Sequence, residues 1–121
     1  MIWDVEFHED FYEEFLEFPE IVKTEILAKA ELLGLLGPNL KRPHADTLNG
    51  SSYANMKELR FSASDGVWRV VFAFDPKRSA ILLTAGNKVR QSQKRFYQQL
   101  IEVADCRFRD HLAKVKENPK Q

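Results

Sequence analysis

The sequence lacks the features of a disulfide-bonded, membrane-spanning or secreted protein. A single cysteine, Cys106, stands among 121 residues, so no internal disulfide can form and a reducing compartment is expected. Because Cys106 lies in an amphipathic stretch, we interpret it as a small buried side chain and not as a nucleophile. No apolar run approaches the roughly 20 residues of a membrane span, and no signal-peptide pattern is present. We therefore expect a cytoplasmic protein that does not contact a membrane.

Several motifs of catalysis and ligand binding are also missing. The chain has no glycine-rich phosphate loop, no Cys/His spacing typical of a metal site and no Ser-His-Asp arrangement. Its three histidines, His8, His44 and His111, are far apart in sequence. We interpret His8 and His111 as surface residues, whereas His44 lies in an irregular stretch and stays a candidate for a role near a site. The sequence thus predicts neither a metal nor a cofactor.

The charges are balanced in number but not in position. Lys and Arg total 18, as do Asp and Glu, yet residues 1–34 carry ten acids and two bases, whereas residues 57–95 carry nine bases and three acids. Such a distribution allows the basic half to bind a polyanion.

The central stretch from Met56 to Lys88 predicts three consecutive antiparallel strands. We place them at Met56–Phe61, Val67–Asp75 and Ser79–Ala85, with turn-forming residues in between. The expected cross-strand neighbours are Phe61–Trp68, Arg60–Arg69, Phe72–Ile81 and Arg69–Thr84. Since side chains alternate along a strand, one face should be apolar and the other cationic.

Hydrophobic periodicity predicts one further strand and three helices around this sheet. The predicted elements are a strand at Ile2–Phe7, a short helix with Glu9 and Asp10 in its first turn, a second helix opening at Pro19, and a long third helix over Gln93–Lys116. The stretch Asn39–Asn55 is interpreted as a loop. The order β-α-α-β-β-β-α indicates one domain over residues 1–121, with an α+β fold in which helices pack on one face of a small, mostly antiparallel sheet.

The cationic face is the candidate site. Arg60, Arg69 and Lys88 should share it. We expect both guanidinium groups to face solvent, since only a one-residue slip of the predicted register would bury them. Arginine binds phosphate through two parallel hydrogen bonds and lysine adds a point charge. Arg90 and Tyr97 follow closely, and an aromatic ring beside such a groove can stack on an unpaired base.

At these residues the sequence resembles the RelE/HigB superfamily of bacterial toxins, in particular its phage-derived HigB-like branch. The resemblance covers most of the chain. It is carried by Arg42-Pro43, Asp46-Thr47-Leu48, Met56-Lys57-Glu58-Leu59-Arg60, Trp68 to Pro76, Gly86-Asn87-Lys88, Phe96-Tyr97 and Ala104-Asp105. One departure is Asn87, which stands where that branch commonly has an acidic residue and which cannot exchange a proton.

The resemblance implies a ribosome-dependent mRNA endonuclease that inhibits translation. It implies two partners: mRNA on the ribosome, and a small DNA-binding antitoxin of the HigA type. On this interpretation Arg60, Arg69 and Lys88 are catalytic. The residues expected to bind RNA or to assist are His44, Asn87, Arg90 and Tyr97.

A mechanism consistent with the residues and the resemblance is attack of a ribose 2′-hydroxyl on the adjacent phosphate. Arg60 and Arg69 would hold the phosphate, while Lys88 would stabilise the transition state or the leaving oxygen. The general base stays open among Tyr97, His44, a group of the ribosomal RNA and water. Two alternatives also stay open: a non-catalytic module of the same fold that binds RNA or an antitoxin, and a purely structural partner subunit.

Overall fold

The computed structural model describes residues 2–64, 66–89 and 91–117. In chain order the elements are β1 (Asp4–Phe7), α1 (Glu9–Leu16), α2 (Glu20–Leu36), a 3-10 turn (Gly37–Asn39), β2 (Ala45–Thr47), β3 (Met56–Ala63), β4 (Gly66–Phe74), β5 (Ser79–Asn87) and α3 (Gln93–Glu117). The strands form a five-stranded sheet in the order β1-β5-β4-β3-β2. Strand β1 pairs parallel to β5, and the other pairs are antiparallel. The predicted α+β fold with a mostly antiparallel sheet is confirmed.

Strand β2 corrects the interpretation of residues 39–55 as a loop. It pairs antiparallel with β3, with Ala45 opposite Leu59 and Thr47 opposite Lys57. Ala45 and Leu59 are both buried in the core. A strand of three residues is too short to show the alternation by which strands are recognised in a sequence.

The register of the first hairpin is confirmed, whereas that of the second is wrong. Arg60 lies opposite Arg69 and Phe61 opposite Trp68, as expected. In the second hairpin, however, Phe72 faces Leu82 and Arg69 faces Gly86. The register shifts between Val71 and Phe72, where β5 has one more residue than β4. Such a β-bulge cannot be predicted from the alternation of side chains alone.

Helices cover both faces of the sheet, so the prediction that they pack on one face is wrong. On the first face, α1 and α2 pack against Val70 and Phe72 of β4. On the second face, Val71 and Ala73 of the same strand pack against α3. The cause lies in β4 itself, because its even-numbered and its odd-numbered positions are both apolar over this span. A continuous apolar run of this kind is typical of a strand buried on both sides.

Three polar or small side chains sit differently from their predicted positions. His8 was expected at the surface, but it is buried and its Nδ1 accepts a hydrogen bond of 3.1 Å from the Asp10 amide, capping α1. His111 is largely buried and its Nε2 lies 2.7 Å from Oδ2 of Asp75. Cys106 was expected to be buried but is exposed on α3. Among the described residues, none of the helices has the length and apolar character needed to cross a bilayer.

Candidate functional site

The second face of the sheet changes from apolar to charged towards one end. Arg69 directly precedes the apolar part of β4, and Arg60 stands opposite it on β3. Glu58, two residues before Arg60, lies on the same face because it is opposite Val71. The first turns of α3 bring Tyr97 over this end of the sheet, where its hydroxyl reaches β3 and β4.

Glu58 organises this end of the sheet. One carboxylate oxygen, Oε2, accepts a hydrogen bond of 2.7 Å from NH1 of Arg60. The other, Oε1, accepts a bond of 2.8 Å from the Tyr97 hydroxyl, and Nε of Arg69 lies 3.8 Å from it. The Tyr97 hydroxyl in turn accepts a bond of 3.2 Å from Nε of Arg69. We call Glu58, Arg60, Arg69, Lys88 and Tyr97 the Glu58 cluster.

The two arginines differ in exposure, which corrects the prediction that both face solvent. The Arg69 side chain is only 6 % exposed, lies beside Tyr97 of α3, and donates from NH1 to the Trp68 carbonyl at 2.9 Å. The Arg60 side chain is 25 % exposed. The like-charge pairing is tolerated because the Glu58 carboxylate bonds to Arg60 and lies close to Arg69.

Lys88 completes the cationic end of the cluster. It lies two residues beyond Gly86, the cross-strand neighbour of Arg69, and its amide donates to the Val67 carbonyl at 2.9 Å. Burial lowers the pKa of the Lys88 ammonium group, and the neighbouring charges of Arg69 and Arg60 lower it further. Three cations around one carboxylate leave the cluster positively charged.

The pKa of Tyr97 is shifted upwards, in contrast to that of Lys88. Burial raises the pKa of its phenol, and the hydrogen bond to Glu58 adds to the effect. At neutral pH the residue therefore keeps its proton and donates it to Glu58 in a hydrogen bond. Tyr97 links α3 to both central strands and so fixes the distance between the helix and the arginines.

Two further candidates, His44 and Asn87, lie outside the cluster. The His44 ring contacts Lys29 of α2, with Nδ1 3.0 Å from Nζ. Asn87 is the neighbour of Trp68 and so belongs to the first face, where its Oδ1 accepts bonds of 3.1 Å from the amides of Val67 and Val89. Arg90 lies outside the described residues.

Two open grooves flank the Glu58 cluster. The first, which we call the arginine groove, has a volume of about 340 Å³ and is lined by Arg42, Pro43, Arg60, Phe61, Ser62, Val67 and Arg69. The second, which we call the amide groove, has a volume of about 690 Å³ and runs between the β2–β3 loop and α3. Tyr97 lines the amide groove, and its hydroxyl belongs to the cluster.

Glu58 was not among the candidates predicted from the sequence, although a signal for it was present. The predicted register already placed Arg60 opposite Arg69, and such a pair needs an anion on the same face. Residues two apart on a strand share a face, so Glu58 was the nearest acid in position to supply it.

A family model described as phage derived protein Gp49-like (DUF891) matches residues 13–109. The chain belongs to this family. Two proteins of Mycobacterium tuberculosis whose names call them toxins are close in sequence. HigB2 is 43% identical over 93 residues, which are 76% of this chain and 46% of that protein. HigB3 is 46% identical over 90 residues, which are 74% of this chain and 76% of that protein. The chain therefore spans about half the length of HigB2 and about three quarters of HigB3.

Solved structures show the fold of this Gp49-like chain. A mutant of the E. coli toxin RelE in the free state superposes with a TM-score of 0.63 at 14% identity, covering 88% of this chain and 98% of RelE. RelE of Pyrococcus horikoshii OT3, solved as a RelE–RelB complex, gives a TM-score of 0.55 at 17% identity, covering 75% of this chain and 100% of that one. The resemblance to the RelE/HigB superfamily is confirmed.

Proposed function

We propose that this Gp49-like protein is the toxin of a type II toxin–antitoxin pair and cuts mRNA on the ribosome. The observation that carries the proposal is the Glu58 cluster, in which Arg60, Arg69 and Lys88 converge on one end of the sheet beside an open groove. A buried carboxylate holds the arginines in place, so the positive charge is organised before any substrate arrives. Family membership and the toxin names of HigB2 and HigB3 point in the same direction.

The proposed reaction needs charge stabilisation more than it needs a strong base. The 2′-oxygen of a ribose forms a bond to the adjacent phosphorus while the bond to the 5′-oxygen breaks, leaving a cyclic phosphate and a free 5′-hydroxyl. The 2′-hydroxyl loses its proton and the 5′-oxygen gains one. The phosphorus centre carries extra negative charge at the transition state, and prearranged cations stabilise that state more than the ground state.

The cluster divides this work among its members. Arg60 is the more exposed arginine and is positioned to contact a phosphate in the arginine groove. Arg69 is almost entirely buried, so we assign it to holding Tyr97 and to adding positive potential beneath the groove. Lys88, whose pKa is lowered, gives up a proton more readily than an ordinary lysine and is suited to protonate the leaving 5′-oxygen.

Glu58 acts in this scheme as a positioning residue. Its two oxygens bond to Arg60 and Tyr97, which fixes the guanidinium group in one orientation. The acceptor for the 2′-hydroxyl proton is then water or a group of the ribosome. His44 is turned towards Lys29, and Asn87 belongs to the opposite face, so neither has a part in the proposed reaction.

The proposed partner is an antitoxin protein that neutralises the toxin. RelE of Pyrococcus horikoshii was solved together with RelB, and its fold matches this chain over 75% of the length. We extend the proposal to a small DNA-binding antitoxin of the HigA type. The cationic end of the cluster offers such a partner a surface on which to place acidic side chains.

Two experiments test the proposal. Expression of the chain in growing bacteria should arrest growth, and co-expression of the antitoxin that we propose as its partner should restore it. Purified protein should cut mRNA bound to programmed ribosomes and leave a 5′-hydroxyl on the downstream fragment. Lys88→Ala is the matched control, because Lys88 is partly exposed and its loss should leave the fold intact. If the wild type binds ribosomes without cutting, and the variant only binds less well, a non-catalytic binding module is the correct reading.

A further inference from the structure

We propose that Arg42 binds the phosphate next to the reacting one on the RNA strand. This inference rests on the proposed function and adds a second phosphate-binding position to it. Arg42 lies in the segment between the 3-10 turn and β2, and it lines the arginine groove together with Arg60 and Arg69. Its side chain is 69% exposed, so a ligand in the groove can reach it.

Asp46 holds the Arg42 guanidinium group in one orientation. Nε of Arg42 donates to Oδ2 of Asp46 at 2.9 Å, and NH2 lies 2.7 Å from the same oxygen. The other carboxylate oxygen, Oδ1, accepts a bond of 2.9 Å from the Thr47 amide, so the acid is itself fixed to β2. Because Nε and NH2 form the edge that faces Asp46, the edge formed by NH1 and NH2 is directed away from it and can donate two hydrogen bonds to a phosphate.

This ion pair stands beside the Glu58 cluster. Asp46 is the cross-strand neighbour of Glu58, and neighbours of this kind have their side chains on the same face of a sheet. An arginine held by an acid of its own segment thus occurs twice, on β3 in the Glu58 cluster and again at Arg42. The hydrogen bond from Arg42 lowers the pKa of the Asp46 carboxyl. The positive charge of Arg60 acts in the same direction, in agreement with its place on the adjacent strand.

Stability of the fold does not explain the pair of Arg42 and Asp46. Exposed ion pairs contribute little to stability, because water already solvates both charges. Here the Arg42 side chain is 69% exposed and that of Asp46 is 33% exposed. The pair is therefore better suited to orient a donor towards the groove than to stabilise the protein.

The cations of the arginine groove follow the order of the strands. Arg69 lies on β4 and Arg60 on β3, while Arg42 enters the groove from the side of β2. Grooves that bind single-stranded nucleic acid follow its backbone with positive charge in this way. An RNA strand with its reacting phosphate at Arg60 therefore meets Arg42 with its next phosphate when it runs towards β2.

The test measures binding of an uncleavable RNA and does not require catalysis. The ligand is a tetranucleotide with a 2′-O-methyl group on its second sugar, so that the middle phosphate is the reacting one. In three further ligands, each phosphate in turn is replaced by an uncharged methylphosphonate. Affinity is measured over a range of salt concentrations for the wild type, Arg42→Ala and Arg60→Ala. Lys41→Ala is the matched control, since Lys41 is the adjacent exposed cation but is absent from the lining of the arginine groove.

We expect Arg42→Ala to weaken binding by about tenfold and to reduce the slope of log affinity against log salt by about 0.7, as for one phosphate contact on a single strand. Lys41→Ala should leave both quantities nearly unchanged. A methylphosphonate at one linkage beside the middle one should weaken binding to the wild type but not to Arg42→Ala. Arg60→Ala should show this insensitivity at the middle linkage instead.

The proposal is overturned if Arg42→Ala binds as tightly as Lys41→Ala, if Arg42 and Arg60 respond to the same linkage, or if the wild type does not bind the tetranucleotide. The melting temperature of Arg42→Ala should match that of the wild type, and a large decrease would assign the ion pair to stability and contradict the proposal. A wild type that binds as expected but cuts no mRNA on ribosomes contradicts the proposed function and leaves the binding role of Arg42 intact.

Discussion

The two faces of the central sheet are made from alternate residues of the same strands, yet among the residues that the structure describes only one face carries buried charge. On the first face, Val70 and Phe72 of β4 pack under α1 and α2 in an apolar cluster. On the second face, Val71 and Ala73 pack under α3 in the same manner, but Arg69 is next in the row. The chain thus uses one whole face for folding and divides the other between folding and a site.

This division explains why a helix covers the site. If the second face were cationic along its length, as the sequence suggested, α3 would have no apolar surface on which to pack. Because Val71 and Leu83 supply that surface, α3 is anchored by Leu100, Ala104 and Phe108. Its N-terminal turns then extend over the charged end and place Tyr97 against Glu58 there. The packing of α3 on the apolar half of the face therefore holds Tyr97 in place over the charged half.

The largest expected effect on stability is on the first face. Phe72 is 1% exposed, so Phe72→Ala should lower the free energy of unfolding by about 3–5 kcal/mol through lost burial and a residual cavity. Denaturant unfolding followed by circular dichroism measures this loss. Leu16→Ala is the control, because Leu16 is 44% exposed and its truncation should change stability by less than about 0.5 kcal/mol. Equal losses would contradict the assignment of Phe72 to the core.

A smaller loss of stability is expected when the buried arginine is removed. Arg69→Ala deprives the Tyr97 hydroxyl and the Trp68 carbonyl of a donor and should cost about 1–3 kcal/mol. Arg60→Ala should cost less, since the Arg60 side chain is 25% exposed and its place can be taken by water. Thermal melts of the two variants compare them directly. A larger loss for Arg60 would mean that the cluster is held together from its exposed side.

The stability of the protein should depend on pH through His8, which caps the N-terminus of α1. Burial lowers the pKa of His8 below 6.5, with the charge of Arg107 acting in the same direction and that of Asp10 against it. Since the unfolded state then binds a proton more readily, stability is complete above pH 6.5 and is lost as the pH falls towards the folded-state pKa. Protonation also removes the Nδ1 acceptor that caps Asp10, so the loss should approach about 1 kcal/mol.

Substitution by asparagine tests this assignment of the pH effect. His8→Asn keeps a side-chain acceptor for the Asp10 amide but cannot titrate. Stability measured between pH 5 and pH 7, a range set by the ordinary histidine pKa of about 6.5, should then lose most of its slope. An unchanged slope would assign the pH dependence to another group.

The smallest expected effect is on activity, at a residue that the sequence placed beside the site. Asn87 stands where an acid is common in the HigB-like branch, which suggested that Asn87→Asp would restore a proton-transfer group. Its side chain instead belongs to the first face and accepts bonds from the Val67 and Val89 amides, which an aspartate would also accept. We therefore expect an unchanged cleavage rate on programmed ribosomes. A clear rise in rate would place Asn87 in the reaction.

The sequence predicted those parts of the fold that depend on local patterns. Alternation located β3, β4 and β5, and the pairing of Arg60 with Arg69 followed from a symmetric turn between two strands. Helical periodicity located α3 and most of its buried stripe. These patterns are strong because each extends over many residues, and because a one-residue slip would move every side chain of a strand to the wrong face.

The predictions that were wrong or missing concern features that depend on contacts between segments distant in sequence. Nothing near Glu58 in the sequence shows that Tyr97, 39 residues later, donates to it. Covering of the second face by α3 likewise depended on whether Val71 and Ala73 would find a partner helix. Of the residues that the sequence analysis missed, Glu58 could most easily have been predicted. The expected register placed it on the same face as Arg60, and that face had an excess of positive charge.

We propose that the charged end of the second face, and not the general basic character of β3, carries the reaction. Lys57 and Arg60 lie on the same strand, but Lys57 is opposite Phe72 and so belongs to the first face, whereas Arg60 belongs to the Glu58 cluster. The decisive measurement is the rate of mRNA cleavage at saturating protein on programmed ribosomes for Arg60→Ala and Lys57→Ala. We predict that Arg60→Ala lowers this rate by about 10²–10³, as expected for the loss of one transition-state donor, and that Lys57→Ala leaves it nearly unchanged. Equal losses in the two variants, or an Arg60→Ala variant that binds ribosomes less tightly but cuts at the full rate when saturated, would contradict the account.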